Sequence, residues 1–269
     1  MNELAAKALE DLNAAIVADA LILPTLPEVA WKIREACEDP DVDLARLSRV
    51  IGSDTALSAR LMKVVNSPTM RPLHEVRDLQ GAISRLGINY SCNLAIGLVI
   101  EQIFHARSPI VAQKMHDIWR SSLEIAGISH ELARRFTRLP PDQAALAGLV
   151  HQIGALPILG YAEEATELLD DLVSLEYVIE QLHPQLGRHI LAQWDFPPTL
   201  VEVPEQYQNL RRLSPQVDYA DVVTVANLIN QREADPEPFA QVPAWRQLGL
   251  HAQPGLSAEE LDEARKLFS

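Results

Sequence analysis

The residues suited to chemistry are few and widely spaced. His151 lies within GLVHQIGALPIL (148–159), an apolar stretch with one imidazole at its middle, the side chain that most readily holds a divalent ion or moves a proton. His116 and Asp117 precede Ser121 and Ser122, residue types that could supply a base and a nucleophile. Five residues along a helix do not face one another, however, and no glycine-rich oxyanion loop surrounds them. His183 and His189 flank PQLGR, read as a turn. At six residues apart they do not share a helix face as a zinc-binding pair must, so capping and core packing are expected of them. Cys37 and Cys92 have no zinc-type neighbours and belong to a chain too large to need staples, so both are expected as reduced thiols.

At about 100° per residue, a helix over 142–155 sets Leu146, Leu149, Val150 and Ile153 on one side. Ala144, Ala147, Gly148, His151 and Ala155 fall opposite. Large residues on one face and small ones on the other mark a helix buried twice, with a second helix close to the small face. His151 then points into a helix crossing, where one imidazole is a hydrogen-bonded core group before it is a metal site.

Apolar spacing is helical nearly everywhere, as in Leu44, Leu47, Ile51 and then Leu57, Leu61, Val64, Val65. Proline and glycine breaks fall at 23–28, 39–41, 66–68, 86–89, 138–142, 195–198 and 235–238. Gly87 suits a left-handed residue just past a helix, and Ser257 with Glu260 forms a capping box for a last helix near 258–268. Trp31, Trp119, Trp194 and Trp245 read as core anchors. The pattern predicts an all-α bundle of a dozen or more short helices. It divides into an N-terminal helix (1–21), one packed unit (22–232, with halves at about 22–106 and 110–232) and a C-terminal extension (233–269) packed on it.

Among 269 residues, 23 basic against 37 acidic side chains give a formal charge of −14, which repels a phosphate backbone and an anionic membrane surface. A local basic series, Arg60, Lys63, Arg71, Arg77 and Arg85, is interrupted by Glu75 and Asp78. The N-terminus lacks the parts of a signal peptide, and the apolar run Leu94–Ile100 is too short for a bilayer, so a cytoplasmic protein with no membrane insertion is expected.

LAGLVHQIG (146–154) resembles the HD-type metal-dependent phosphohydrolases, whose signature helix reads His-Asp-Ile-Gly in many members. The rest of the chain resembles one branch, the HDOD domain. That likeness is carried by LPTLPEVAWKI, DPDVDLARLSRVIGSDTALSARLMKVVNS, AISRLGINYSCNLAI, IWRSSLEIA, HPQLGRHILAQWDFP, VVTVANLI and WRQLGL, in the expected order over roughly 22–250.

The resemblance implies four metal ligands, and three are changed: Ser121 stands for the first histidine, Gln152 for the paired aspartate and Asn227 for the last aspartate. His130, nine residues past Ser121, is half a turn out of phase, and Asp221, six before Asn227, points about 120° away. Where many HDOD domains carry paired histidines, this chain has Tyr207 and Gln208. An ion held by one histidine and neutral amides would be left uncompensated. No catalytic residue, metal or cofactor is therefore expected, and Ser121, His151, Gln152 and Asn227 are expected to line a remnant pocket of ligand-binding or structural use.

HDOD proteins resemble non-catalytic adaptors of bacterial signalling, found beside cyclic-dinucleotide enzymes, receivers and kinases. With no such domain fused here, the expected partner is such a signalling protein met in trans, or a small ligand, and no nucleic acid. Arg60 and Lys63 are candidates for a partner face in the N-terminal half. The alternative is a degenerate phosphohydrolase that recruits Asp221 or another carboxylate.

Overall fold

The structure is a computed structural model that describes residues 3–18, 20–70, 74–231 and 239–268. All regular structure in these residues is helical, as the spacing predicted. The 235–238 break, the 232/233 boundary and Arg71 lie outside them.

The first half is a layer of five helices: α2 (Glu28–Glu38), α3 (Leu44–Gly52), α4 (Thr55–Val65), α5 (Leu79–Leu86) and α6 (Ile88–Val99). Aspartates set three of their starts. Asp43, Asp54 and Asp78 each accept a hydrogen bond from the backbone N–H three residues on, at 2.6, 3.0 and 2.7 Å, which satisfies an otherwise orphaned first-turn donor. Gly87, at φ 85°, turns the chain from α5 into α6, the left-handed position expected of it.

The second half is built on α7 (Pro109–Phe136) and α8 (Pro141–Val150), which pack along one another. Beside them lie α9 (Ala155–Glu164), α10 (Glu167–Asp170), α11 (Leu172–Gln193), α12 (Pro198–Val201), α13 (Val203–Gln206) and α14 (Tyr219–Gln231). The leading helix α1 (Glu3–Val17) lies on α11 through Ala5, Ala8 and Leu12. At the C-terminal end α15 (Pro243–Gln247) packs on α14 and α16 (Ala258–Arg265) on α7. The capping box predicted for α16 is present: Ser257 Oγ accepts from Glu260 N and Glu260 Oε2 from Ser257 N. One continuous apolar core joins α1 to the buried Leu267 and Phe268, and α6 on α8 ties the two halves together.

Several expectations are corrected. The predicted 142–155 helix ends at Val150, and a turn over 151–154 separates it from α9. PQLGR is no turn but lies inside α11, which continues through Pro184 because packing on both flanks outweighs the lost hydrogen bond. Trp119, Trp194 and Trp245 are buried, but Trp31 is 42% exposed, with the Arg34 guanidinium 5.1 Å from its ring. Leu94–Ile100 remains too short by itself, while among the described residues Pro141–Glu164 is long and apolar enough to cross a membrane, and 83% of its apolar window is buried inside this fold.

Cys37 and Cys92, expected as free thiols, are joined in a disulfide. The packing of α2 across α6 brings their Cα atoms to 6.4 Å, within the range a disulfide bridges. A separation of 55 residues gives no local sign of that approach.

Candidate functional site

His151 caps α8 and is fully buried. Two glycines make its surroundings close-packed. A Cβ on Gly148 would lie 2.6 Å from Ala126 Cα, and one on Gly154 would lie 2.0 Å from the His183 carbonyl oxygen. Glycine therefore lets α8 press on α7 and the 151–154 turn press on α11. The His151 ring hydrogen-bonds back along its own helix, Nδ1 to the Gly148 carbonyl at 2.7 Å. A carbonyl only accepts, so Nδ1 carries the proton and Nε2 bears the lone pair, with no hydrogen-bond partner among the described residues.

Tyr207 covers the ring edge-on, centroids 4.9 Å apart. The Tyr207 hydroxyl lies 3.2 Å from His183 Nε2, and the Gln208 amide nitrogen donates both to that nitrogen and to that hydroxyl, each at 3.0 Å. Burial pushes the Tyr207 phenol up to about 12, against the opposing pull of the Gln152 and Gln208 amides. Burial lowers His151 to about 4, against the Gly148 carbonyl, and lowers His183 to about 3, helped by His151. The centre is thus two neutral imidazoles, a phenol and two amides.

Of the expected pocket, His151 and Gln152 are in this centre. The α7–α8 register, with Ala126 against Gly148, carries Ser121 and Ser122 to about the height of His151 one turn farther on. Among the described residues no hydrogen bond joins Ser121 or Asn227 to His151; the Asn227 amide donates to the Val223 carbonyl at 3.3 Å. His183, expected only to cap or pack, is a member that spacing could not reveal, because it meets His151 from a different helix. His189 is exposed, neither cap nor core.

The carboxylates that a degenerate enzyme could recruit are committed elsewhere. Asp221, 1% exposed, accepts from Arg212 at 2.9 Å and from the Ser214 hydroxyl at 2.6 Å, while burial pushes its carboxyl up. His130 meets the Tyr90 hydroxyl at 2.6 Å and Glu131 at 3.2 Å. That is a carboxylate–imidazole–hydroxyl chain, but burial, Asp142 and Glu131 push the Tyr90 phenol far up, which unsuits it as a nucleophile. Asp117 pairs with Arg120 at 3.2 Å, not with a serine. No group of three or more His, Cys, Asp or Glu side chains able to hold a metal occurs among the described residues. The donors around His151 are neutral and closed over by Tyr207, and they do not fit a divalent ion.

On the N-terminal half, Arg60 is only half-buried and paired with Glu101, which corrects its expected exposure, whereas Lys63 is exposed. Arg77 pairs with Glu75 at 3.9 Å and Arg85 donates to the Met70 carbonyl at 2.7 Å, so the basic series is largely tied down.

The fold defines an HD-type all-helical protein. The chain belongs to the HDOD domain family, whose sequence pattern matches residues 23–210. It is similar over its full length to a solved structure from Shewanella amazonensis SB2B provisionally called a metal-dependent phosphohydrolase, at 29% identity, TM-score 0.88 and complete coverage of both chains. An HDOD domain protein of unknown function from Geobacter sulfurreducens shares the fold at 18% identity and TM-score 0.68, covering 97% of this chain and 92% of that one. An uncharacterized protein of Treponema pallidum (strain Nichols) is 24% identical over 248 residues, which is 86% of this chain but 46% of that longer protein.

Proposed function

We propose that this chain is a non-enzymatic regulatory adaptor that acts by binding signalling proteins, with cyclic-dinucleotide enzymes, receivers and kinases as the candidate partner classes in a bacterial cytoplasm. One observation carries the reading. Around His151, Gln152 stands where the resemblance puts the paired, charge-compensating aspartate, and Tyr207 and Gln208 stand where many HDOD domains carry paired histidines; these neutral groups bond to each other and to His183. A hydrolytic ion must be charge-compensated and must keep an open coordination position for water. Neutral side chains packed to hydrogen-bonding distance supply neither. What survives of the ancestral centre is a rigid polar core on which the outer helices are mounted.

The second reading, a residual phosphohydrolase, is favoured by the 29% identity to the Shewanella amazonensis structure. Elemental mass spectrometry on untagged protein purified without chelator separates the two. Substoichiometric metal supports the adaptor. Metal near one equivalent, lost in His151→Ala, overturns it. A second test addresses the partner: Lys63→Glu should weaken capture of signalling proteins by the purified domain, and unchanged capture would remove the Lys63 face from the proposal.

A further inference from the structure

The end of α2, the start of α6 and the start of α8 enclose a solvent-open cavity of about 590 Å³, with the disulfide in its wall. Tyr90, Asn93, Asp142 and Gln143 share that wall, and the Asn93 amide donates to Asp142 Oδ2 at 2.7 Å, tying α6 to α8. The two halves of the disulfide are unequally placed. Cys92 is 3% exposed, while Cys37 is partly open to solvent. They are also the chain's two cysteines, so an opened bond has one partner with which to reclose. Beside the bond, α2 packs on α6 and buries Ala30, Ile33 and Ala36. Among the described residues that line the cavity, Asp142 is the one that carries charge.

We propose that Cys37–Cys92 is a thiol–disulfide exchange site. Cys37 Sγ is the atom attacked, and the cavity admits a small neutral or cationic thiol in preference to an anionic one. The thiolate of the incoming thiol bonds to Cys37 Sγ, the Cys37–Cys92 bond breaks, and Cys92 leaves as a thiolate that takes up a proton. A second thiolate attacks the sulfur of the added group, releasing Cys37 as its thiolate and the added groups as their own disulfide. Two external thiols are oxidised and one protein disulfide is reduced, and the reverse sequence closes the site. Opening removes the covalent tie between α2 and α6 beside the Asn93–Asp142 link.

The test uses the full chain. Native protein is exposed to cysteamine or to mercaptoethanesulfonate, quenched with iodoacetamide and weighed, with rates corrected for each reagent's thiolate fraction. Cysteamine should open the bond about tenfold faster at low salt, the gap narrowing as salt screens Asp142. Cystamine should then form a mixed disulfide with Cys37 in Cys92→Ser, and should leave Cys92 unlabelled in Cys37→Ser. The proposal is overturned if the native bond resists both thiols until the protein is denatured. It is overturned equally if the anionic thiol reacts as fast, if Cys92 is captured as readily as Cys37, or if protein purified without reductant carries two free thiols. The rates come from the unmutated chain and stand even if a variant does not fold.

Discussion

His151 and His183 carry their functional meaning in which protons they refuse. Both are held below the ordinary 6.5, at about 4 and about 3, by burial. The unfolded chain therefore takes up protons that the folded one does not. Stability is full above about pH 6.5 and falls as pH drops toward 4, with roughly 3 kcal/mol at stake for His151. Urea midpoints between pH 7 and 4 should trace that fall, and His151→Gln should remove the His151 share of it and leave that of His183. Tyr207→Phe removes the hydroxyl that receives the Gln208 amide and should cost about 1 to 2 kcal/mol in the same assay at pH 7. At this scale the sequence was half legible. His151, Gln152, Tyr207 and Gln208 could be singled out by their correspondence to a motif. His183 could not, because it comes from a different helix, and a helix wheel relates only residues on one helix.

The helices themselves were the legible part, since burial of one face imposes three- and four-residue spacing and aspartate or proline marks the starts. What escaped were places where tertiary packing overrides local chemistry, such as the turn at 151–154 and the passage of α11 through Pro184. Gly154 lies at the first of these. Gly154→Ala would force its Cβ to within 2.0 Å of the His183 carbonyl and should lower stability by roughly 1 to 3 kcal/mol, with the disturbed Tyr207–His183 contact visible as shifted imidazole signals of His183 in NMR spectra. At the far end, Ser257→Ala removes half of the capping box and should cost about 1 kcal/mol, read as faster amide exchange over α16 before the rest of the chain responds.

For the whole molecule, charge and composition spoke only to classes of partner. The joining of the two halves through α6 on α8, and the disulfide that closes the first half on itself, could not be read from them. Closing a loop over a separation of 55 residues stabilises by about 4 kcal/mol in the loop-entropy picture. Chemical denaturation of the oxidised and reduced forms should differ by up to that amount. A difference near zero would show that α2 is held by its apolar face alone.

The same bond gives the chain a covalent topology of its own. Residues 37–92 form a closed ring that contains all of α3, α4 and α5. A single protease cut anywhere inside that ring severs the backbone without separating the pieces: the cleaved protein keeps its mass, apart from one added water, and runs as two fragments only after reduction. Limited digestion compared with and without reductant thus reads the α2–α6 link of the first half directly from a gel.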